Sequence, residues 1–270
     1  MRITHKISVS AGIEPTEAFK KWGIQLTPFS SGETQFGFAI FNIDEDDPRW
    51  PAVSSLVEKF GALDTISTKF SQVELNHAPY LEVIPSWHHG YPQPESDFGY
   101  LRATYDLSAY CSVCGAGQRQ IAPFRLRNAP TWGTRLIFQL NWVFDEYFVE
   151  PGAWSSIFKP FGIQGRPVLL RKTEAVLDSV VQLDITQLGD LDLHGYKFTT
   201  CPHCARKKYL PIVRGLLPNA QSPIKATCYK SNQWFGSGGS ANKAVFVSNE
   251  LYKAMKAAKL KGVTFNACRS

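Results

Sequence analysis

Tyr110-Cys111-Ser112-Val113-Cys114-Gly115 and Thr200-Cys201-Pro202-His203-Cys204 decide how this 270-residue chain is read. Each stretch carries two cysteines three positions apart, the spacing at which one tight turn aims two thiolates at a common tetrahedral ion. Two such turns supply four sulfurs, which make a closed structural site with no open position for water. Gly115, just after the second cysteine, suits a turn that must reach positive φ. A single CxxC is shared with redox motifs. Two in one chain predict a shared metal, zinc before iron, held by Cys111, Cys114, Cys201 and Cys204. The plain alternative is four reduced thiols, or two separate thiol pairs. A shared ion would tie two distant parts of the chain together, a bracing role that implies no activity.

Working outward, the first knuckle opens after Tyr105-Asp106-Leu107, and the run Leu136 to Val149 beyond it is dense in apolar and aromatic residues. Asp145 and Glu146 lie inside that run. Neighbours on a helix point about 100° apart and on a strand to opposite faces, so the two acids read as exposed or capping carboxylates. Residues 154–161 predict a short helix closed by Gly162, Arg166 to Leu170 a strand, and Val176 to Ile185 another from its β-branched content. Trp234-Phe235-Gly236-Ser237-Gly238-Gly239-Ser240 lacks the residue order that cradles phosphate and reads as a tight, close-packed turn. Ser248 is placed as an N-cap, with Glu250 in the first turn and Leu251, Ala254, Met255 and Ala258 as the buried stripe. Lys259 and Lys261 sit near the carbonyl end, Gly262 is placed as the C-cap, and Val263-Thr264-Phe265 resumes as a strand.

Upstream, residues 1–47 read as short strands and turns. Gln35–Phe41 is an apolar run of strand length, ended by the acidic turn Asp44–Pro48. Val53, Leu56, Val57 and Phe60 have helical spacing over Pro51–Phe60, with Gly61 at the C-cap. Residues 70–84 read as extended and Trp87–Pro94 as a loop. Together these predict an α+β fold, mostly antiparallel sheets with a few short helices, crosslinked by a four-cysteine zinc site. The division expected is an N-terminal α+β domain over 1–105 and a knuckle-containing α+β domain with a basic C-terminal part over 106–270.

Apolar residues make up 44% of the chain and charged residues 19%, as in folded proteins, while 13% aromatics put much of the burial on rings. The start, Met1 to Lys6, lacks the apolar core of a signal peptide. No stretch nears the roughly 20 apolar residues of a membrane span. These features predict a soluble, cytoplasmic protein that engages no membrane. Cys228 and Cys268 are lone, and nothing implies a disulfide framework. The net charge of +6 divides unevenly: Cys201 to Ser270 holds twelve Lys or Arg and one acid, Glu250, against seventeen basic and twenty-two acidic residues in 1–200. A basic face of this size attracts polyanions or an acidic protein surface. Its bland counterpart is a solvated lysine-rich face balanced by the acidic part of the same molecule.

Familiar catalytic motifs are absent: there is no GxSxG elbow, HExxH, Walker motif or Rossmann fingerprint. The zinc deaminases pair HxE with PCxxC; here Pro202 lies between the cysteines, and His88-His89-Gly90 fails the first element. His88 and His89 read as polar residues beside the packing of Trp87. No enzyme is predicted.

The order of the blocks resembles that of the bacterial double-CxxCG motif proteins, which recur as paralogues beside polymorphic toxins and include immunity proteins. The resemblance spans most of the chain. It rests on Tyr110–Gly115, Gly162-Ile163-Gln164-Gly165-Arg166-Pro167-Val168 and Val181-Gln182-Leu183-Asp184-Ile185. It continues through Cys201–Cys204 with Lys207-Lys208-Tyr209, then Gln233-Trp234-Phe235-Gly236-Ser237-Gly238, and the closing helix with Gly262-Val263-Thr264-Phe265. Ala205 stands where the second motif of that family usually has glycine. The resemblance implies a cytoplasmic, zinc-binding immunity protein that acts in bacterial competition by binding and neutralising a cognate toxin.

On that reading Zn2+ is structural, and the protein–protein interaction surface is expected at Arg206, Lys207, Lys208, Lys253, Lys256, Lys259 and Lys261, where charge would set partner choice and association rate. The alternative is a zinc-ribbon nucleic-acid binder, with Trp234, Phe235 and Tyr252 as stacking partners along a phosphate-tracking surface. A third reading, a metalloenzyme, would recruit His88, His89 or His203 to the metal.

Overall fold

Alternation organises the first sheet: along Arg2–Ser10 the side chains of His5, Ile7 and Val9 fall on one face and are buried. This strand pairs antiparallel with Phe38–Asp44 on one side and Leu63–Lys69 on the other. Helices Ile13–Lys20 and Trp50–Lys59 contribute Phe19, Val53 and Val57 to a core shared with Ile7, Val9, Ala39 and Ile43. Pro51 opens the second helix, and Gly61 follows its end at φ +58. The computed structural model describes residues 1–10, 12–26, the backbone of 28–29, 37–221 and 224–269. Of the strand expected at Gln35–Phe41, positions 35 and 36 lie outside the described residues, and the remainder joins Phe38–Asp44.

The chain divides into two compact units, Met1–Glu74 with Ile212–Gly215, and Leu75–Pro211 with Leu216–Ser270. A boundary at 105/106 therefore falls inside the second unit. The reason is the strand Tyr80–Pro85, which lies between Val245–Ser248 and Val263–Ala267 in a five-stranded sheet and commits the chain to that unit well before residue 105. The short segment 212–215 belongs to the first unit because Arg214 grips Glu45 with Nε at 2.9 Å and Nη2 at 2.6 Å, while Thr68 Oγ1 donates to the Val213 carbonyl at 2.9 Å.

Residues 70–84, expected to be extended, contain the helix Gln72–His77 before the strand begins. Ser71 and Glu74 explain it: the Glu74 N–H donates to Ser71 Oγ at 3.3 Å, and the Ser71 N–H donates to Glu74 Oε2 at 2.7 Å. That reciprocal pair is a capping box.

In the second unit the apolar run after Leu136 becomes two strands, Ile137–Leu140 and Val143–Val149, turning at Asn141-Trp142 with Trp142 at φ +67. They form a four-stranded sheet ordered Gln164–Arg166, Val181–Asp184, Val143–Val149, Ile137–Leu140. Rings fill the core beneath: Phe138 stacks on Phe148 at 5.3 Å, and Phe124 meets Phe148 edge-on at 5.4 Å. Such pairs add about 1 kcal/mol each beyond the area they bury. Glu150 caps the irregular helical segment from Pro151 to Phe161, which Gly162 ends at φ +80. The strand expected at Arg166–Leu170 is divided between Gln164–Arg166 and Leu169–Leu170, and the one expected over Val176–Ile185 is confined to Val181–Asp184.

Ser248 caps the helix Asn249–Ala257, its Oγ accepting from the Leu251 N–H at 3.3 Å. The buried face is Leu251, Tyr252 and Met255; Ala254 is half-buried and Ala258, beyond the last turn, is exposed. The whole is an α+β fold of several mostly antiparallel sheets and few short helices.

Candidate metal centre

Each cysteine pair sits in the turn between two short antiparallel strands. Tyr105–Asp106 and Arg119–Gln120 flank the first, Phe198–Thr200 and Lys207–Tyr209 the second. The two turns repeat one hydrogen-bond pattern. Gly115 N–H donates to Cys111 O at 2.7 Å and Cys111 N–H to Ala116 O at 2.9 Å; Ala205 N–H donates to Cys201 O and Cys201 N–H to Arg206 O, both at 2.9 Å. The residue after each second cysteine is left-handed, Gly115 at φ +79 and Ala205 at φ +58. A Cβ on Gly115 would stand 2.2 Å from the Gly239 carbonyl oxygen, so glycine is required there by space as well as by backbone. Ala205 keeps the same turn at the cost of a left-handed alanine.

The four sulfurs lie within 4.8 Å of one another, with Cys111 Sγ 3.8 Å from Cys201 Sγ and Cys114 Sγ 3.6 Å from Cys204 Sγ. A tetrahedron with metal–sulfur bonds of about 2.3 Å has edges of about 3.8 Å. The cluster therefore fits one tetrahedral ion across the two turns and can hold a metal. Cys111, Cys114 and Cys201 are buried, and Cys204 is half-buried. Backbone amides already favour anionic sulfur: the Cys204 N–H draws the Cys201 thiol down to about 6, and the Cys114 N–H lowers Cys111. Burial pushes Cys114 the other way, to about 12, a cost that a cation among the sulfurs removes. Among the described residues no histidine, aspartate or glutamate joins this group.

No protein-family model, curated protein or solved structure matches the chain.

The support around the sulfurs comes from residues read in the sequence as a surface. Lys208 is buried, and its ammonium donates to the carbonyls of Cys114 at 3.0 Å, Gly238 at 2.5 Å and Ser240 at 3.0 Å. It fastens the glycine turn onto the first knuckle, and it has no charge to present to a partner. Half-buried Arg206 reaches across to the Ala116 carbonyl at 3.4 Å. Lys207 is exposed, its ammonium 4.6 Å above the Phe198 ring. Lys253, Lys256, Lys259 and Lys261 are exposed on or just past the C-terminal helix. The seven basic residues thus separate into two that build the centre and five that face outward.

None of the three histidines considered in the sequence joins the sulfurs. His88 is exposed and bridges to Gln139; the His89 ring packs at 5.2 Å from Phe138; His203 is exposed on the second knuckle. Glu146, by contrast, is buried and pairs with Lys230 at 2.5 Å, accepts from Gln182 Nε2 at 3.1 Å, and lies beside Asp145 on a shared cavity. Strand alternation would put these two acids on opposite faces, but the register shifts between Val143 and Phe148, and that irregularity turns both inward. The adjacency of the acids was the sole sequence signal, and their buried lysine partner stands 84 positions away.

Proposed function

We propose that the chain is a cytoplasmic immunity protein that neutralises a cognate bacterial toxin by binding it, with zinc as a structural metal and no catalysis of its own. The observation that carries this reading is the closed four-cysteine cluster: four sulfurs at tetrahedral spacing leave no position for water or substrate. A metal in that setting braces two distant hairpins into a rigid scaffold, which is what a binding surface needs. Lys207, Lys253, Lys256, Lys259 and Lys261 supply an outward basic surface suited to an acidic partner face. Among the described residues no helix is long and apolar enough to cross a membrane.

The test is affinity capture from the native host's lysate with and without nuclease, followed by co-expression with the captured protein. A stoichiometric partner that survives nuclease, arrests growth alone and is silenced by this chain is the expected result. Recovery dominated by nucleic acid and lost on nuclease treatment replaces the immunity reading with the nucleic-acid one. Reversing Lys253, Lys256, Lys259 and Lys261 to glutamate should abolish protection while leaving the fold intact; unchanged protection moves the interface off this helix.

A further inference from the structure

A cavity of about 410 Å³ opens in the second unit, walled by the two strands of the first hairpin, by Asp145 and Glu146, and by Trp234. Exposed Arg119 and the ion pair of Arg166 with Asp184 at 2.7 Å stand on its rim, and one pair of charges is held far from solvent. Lys230 and Glu146 form an ion pair with side chains 10% and 9% exposed, and a glutamine pair, Gln182 and Gln120, backs it at 2.7 and 2.9 Å. Asp145 and Lys243 line the same space without pairing. The Asp145 carboxylate accepts one bond, from the Lys243 backbone N–H at 3.3 Å. The Lys243 ammonium lies 4.6 Å over the Trp234 ring and donates to the Ser231 and Asn232 carbonyls at 3.0 and 2.8 Å. Gln118 also lines the space, with its Oε1 turned into the protein and its Nε2 donating to the Ala241 carbonyl at 3.4 Å.

Partly buried charges that lack a full set of partners are costly, and native structures satisfy them. Here the half-buried Asp145 carboxylate has one donor, at 3.3 Å, while Lys230 and Lys243 each retain a donor beyond the bonds they make. An anion alone would face Asp145, Glu146 and Asp184. A simple cation would face two ammonium groups and the guanidinium groups of Arg119 and Arg166. A ligand carrying both charges a short distance apart satisfies both sides, and the indole offers it an apolar wall. The volume lies within the range of small-ligand sites.

We propose that this cavity binds a free α-amino acid, its ammonium on Asp145 and its carboxylate toward Lys243 and Lys230. The site touches the cysteine cluster through Trp234 but uses none of its sulfurs, and it does not depend on the immunity reading. Both ends are needed: removing either charge leaves one charged protein group unpaired, and rejection of such analogues is steep.

The experiment is calorimetric titration of the full-length, metal-loaded protein with each of the twenty free amino acids, then with the N-acetyl and the carboxamide derivative of any binder. At least one free amino acid is expected to bind, with both derivatives weakened about tenfold or more. Asp145→Asn keeps the bond to the Lys243 N–H and should weaken the parent amino acid by a similar factor; Lys243→Met should weaken it and abolish discrimination against the carboxamide. Circular dichroism confirms that both variants fold. Absence of heat with all twenty up to about 5 mM, or derivatives that bind as well as the parent, overturns the proposal. So does an Asp145→Asn variant of unchanged affinity.

Discussion

Lys208 donates its buried ammonium to the carbonyl of Cys114, 94 positions earlier, at 3.0 Å. With Gly238 and Ser240 it makes three such bonds, so one side chain pins a glycine turn to a cysteine knuckle. Lys208→Met keeps the aliphatic stem but leaves three carbonyls without a donor. It should cost about 3 kcal/mol by urea unfolding and speed loss of metal to a competing chelator. Lys207→Met, one position away and exposed, should change stability by less than about 0.5 kcal/mol. Equal effects of the two would show that Lys208 does not hold the turn.

Cys111 and Cys201 bring together hairpins 90 residues apart. Because ligand binding at a structural site is itself folding free energy, Cys111→Ser or chelation should lower stability by about 5 kcal/mol or more, and X-ray absorption of the purified protein should show four sulfur ligands. Cys228 is the control. Burial pushes its thiol up to about 12 and it stands outside the cluster, so Cys228→Ser should leave metal content unchanged. Identical melting with and without chelator would contradict the bracing role.

The two knuckles differ in the residue at their left-handed position. Ala205 sits at φ +58, so Ala205→Gly should stabilise the metal-loaded protein by about 1 kcal/mol, the usual penalty of a left-handed alanine. Gly115→Ala should destabilise it by more than about 2 kcal/mol, because the new methyl meets the Gly239 carbonyl at 2.2 Å. Differential scanning calorimetry of the pair reads both signs. A loss of stability in Ala205→Gly would mean that the alanine methyl makes a packing contribution larger than its strain.

What could be read from the sequence was local. The cysteine spacing is the one a tetrahedral ion requires, and Ser248 with Glu250 marks a helix start wherever it falls. Ser71 and Glu74 carried the same kind of signal in a segment whose apolar pattern suggested a strand, and there the cap prevailed. The rest depended on distant partners. Nothing near Lys208 announces that Gly238 and Ser240 will surround it, so its charge reads as surface. Asp145 and Glu146 share a cavity because of a register shift in the Val143–Val149 strand, and a two-residue period gives no notice of such a shift. Likewise the unit boundary follows from the sheet position of Tyr80–Pro85, which pairs with strands more than a hundred residues later.

Glu82 gives the protein a pH dependence of definite sign. It lies on the interior strand Tyr80–Pro85, where burial raises its carboxyl from 4.5 to about 7 against a modest opposing bond from Asn266 Nδ2 at 3.1 Å. Between these two values the folded chain holds a proton that the unfolded chain has released, so this group's contribution to stability falls as pH rises through the window. The loss is complete above about pH 7 and amounts to on the order of 3 kcal/mol. Glu82→Gln, which retains an oxygen for Asn266, removes the titration. Its stability should exceed that of the parent by about that amount at pH 8 and converge with it near pH 4, with the cysteine cluster common to both curves and cancelling in the difference. Urea unfolding of the two proteins across this range measures it, and parallel curves would show that Glu82 ionises in the folded protein as freely as in water.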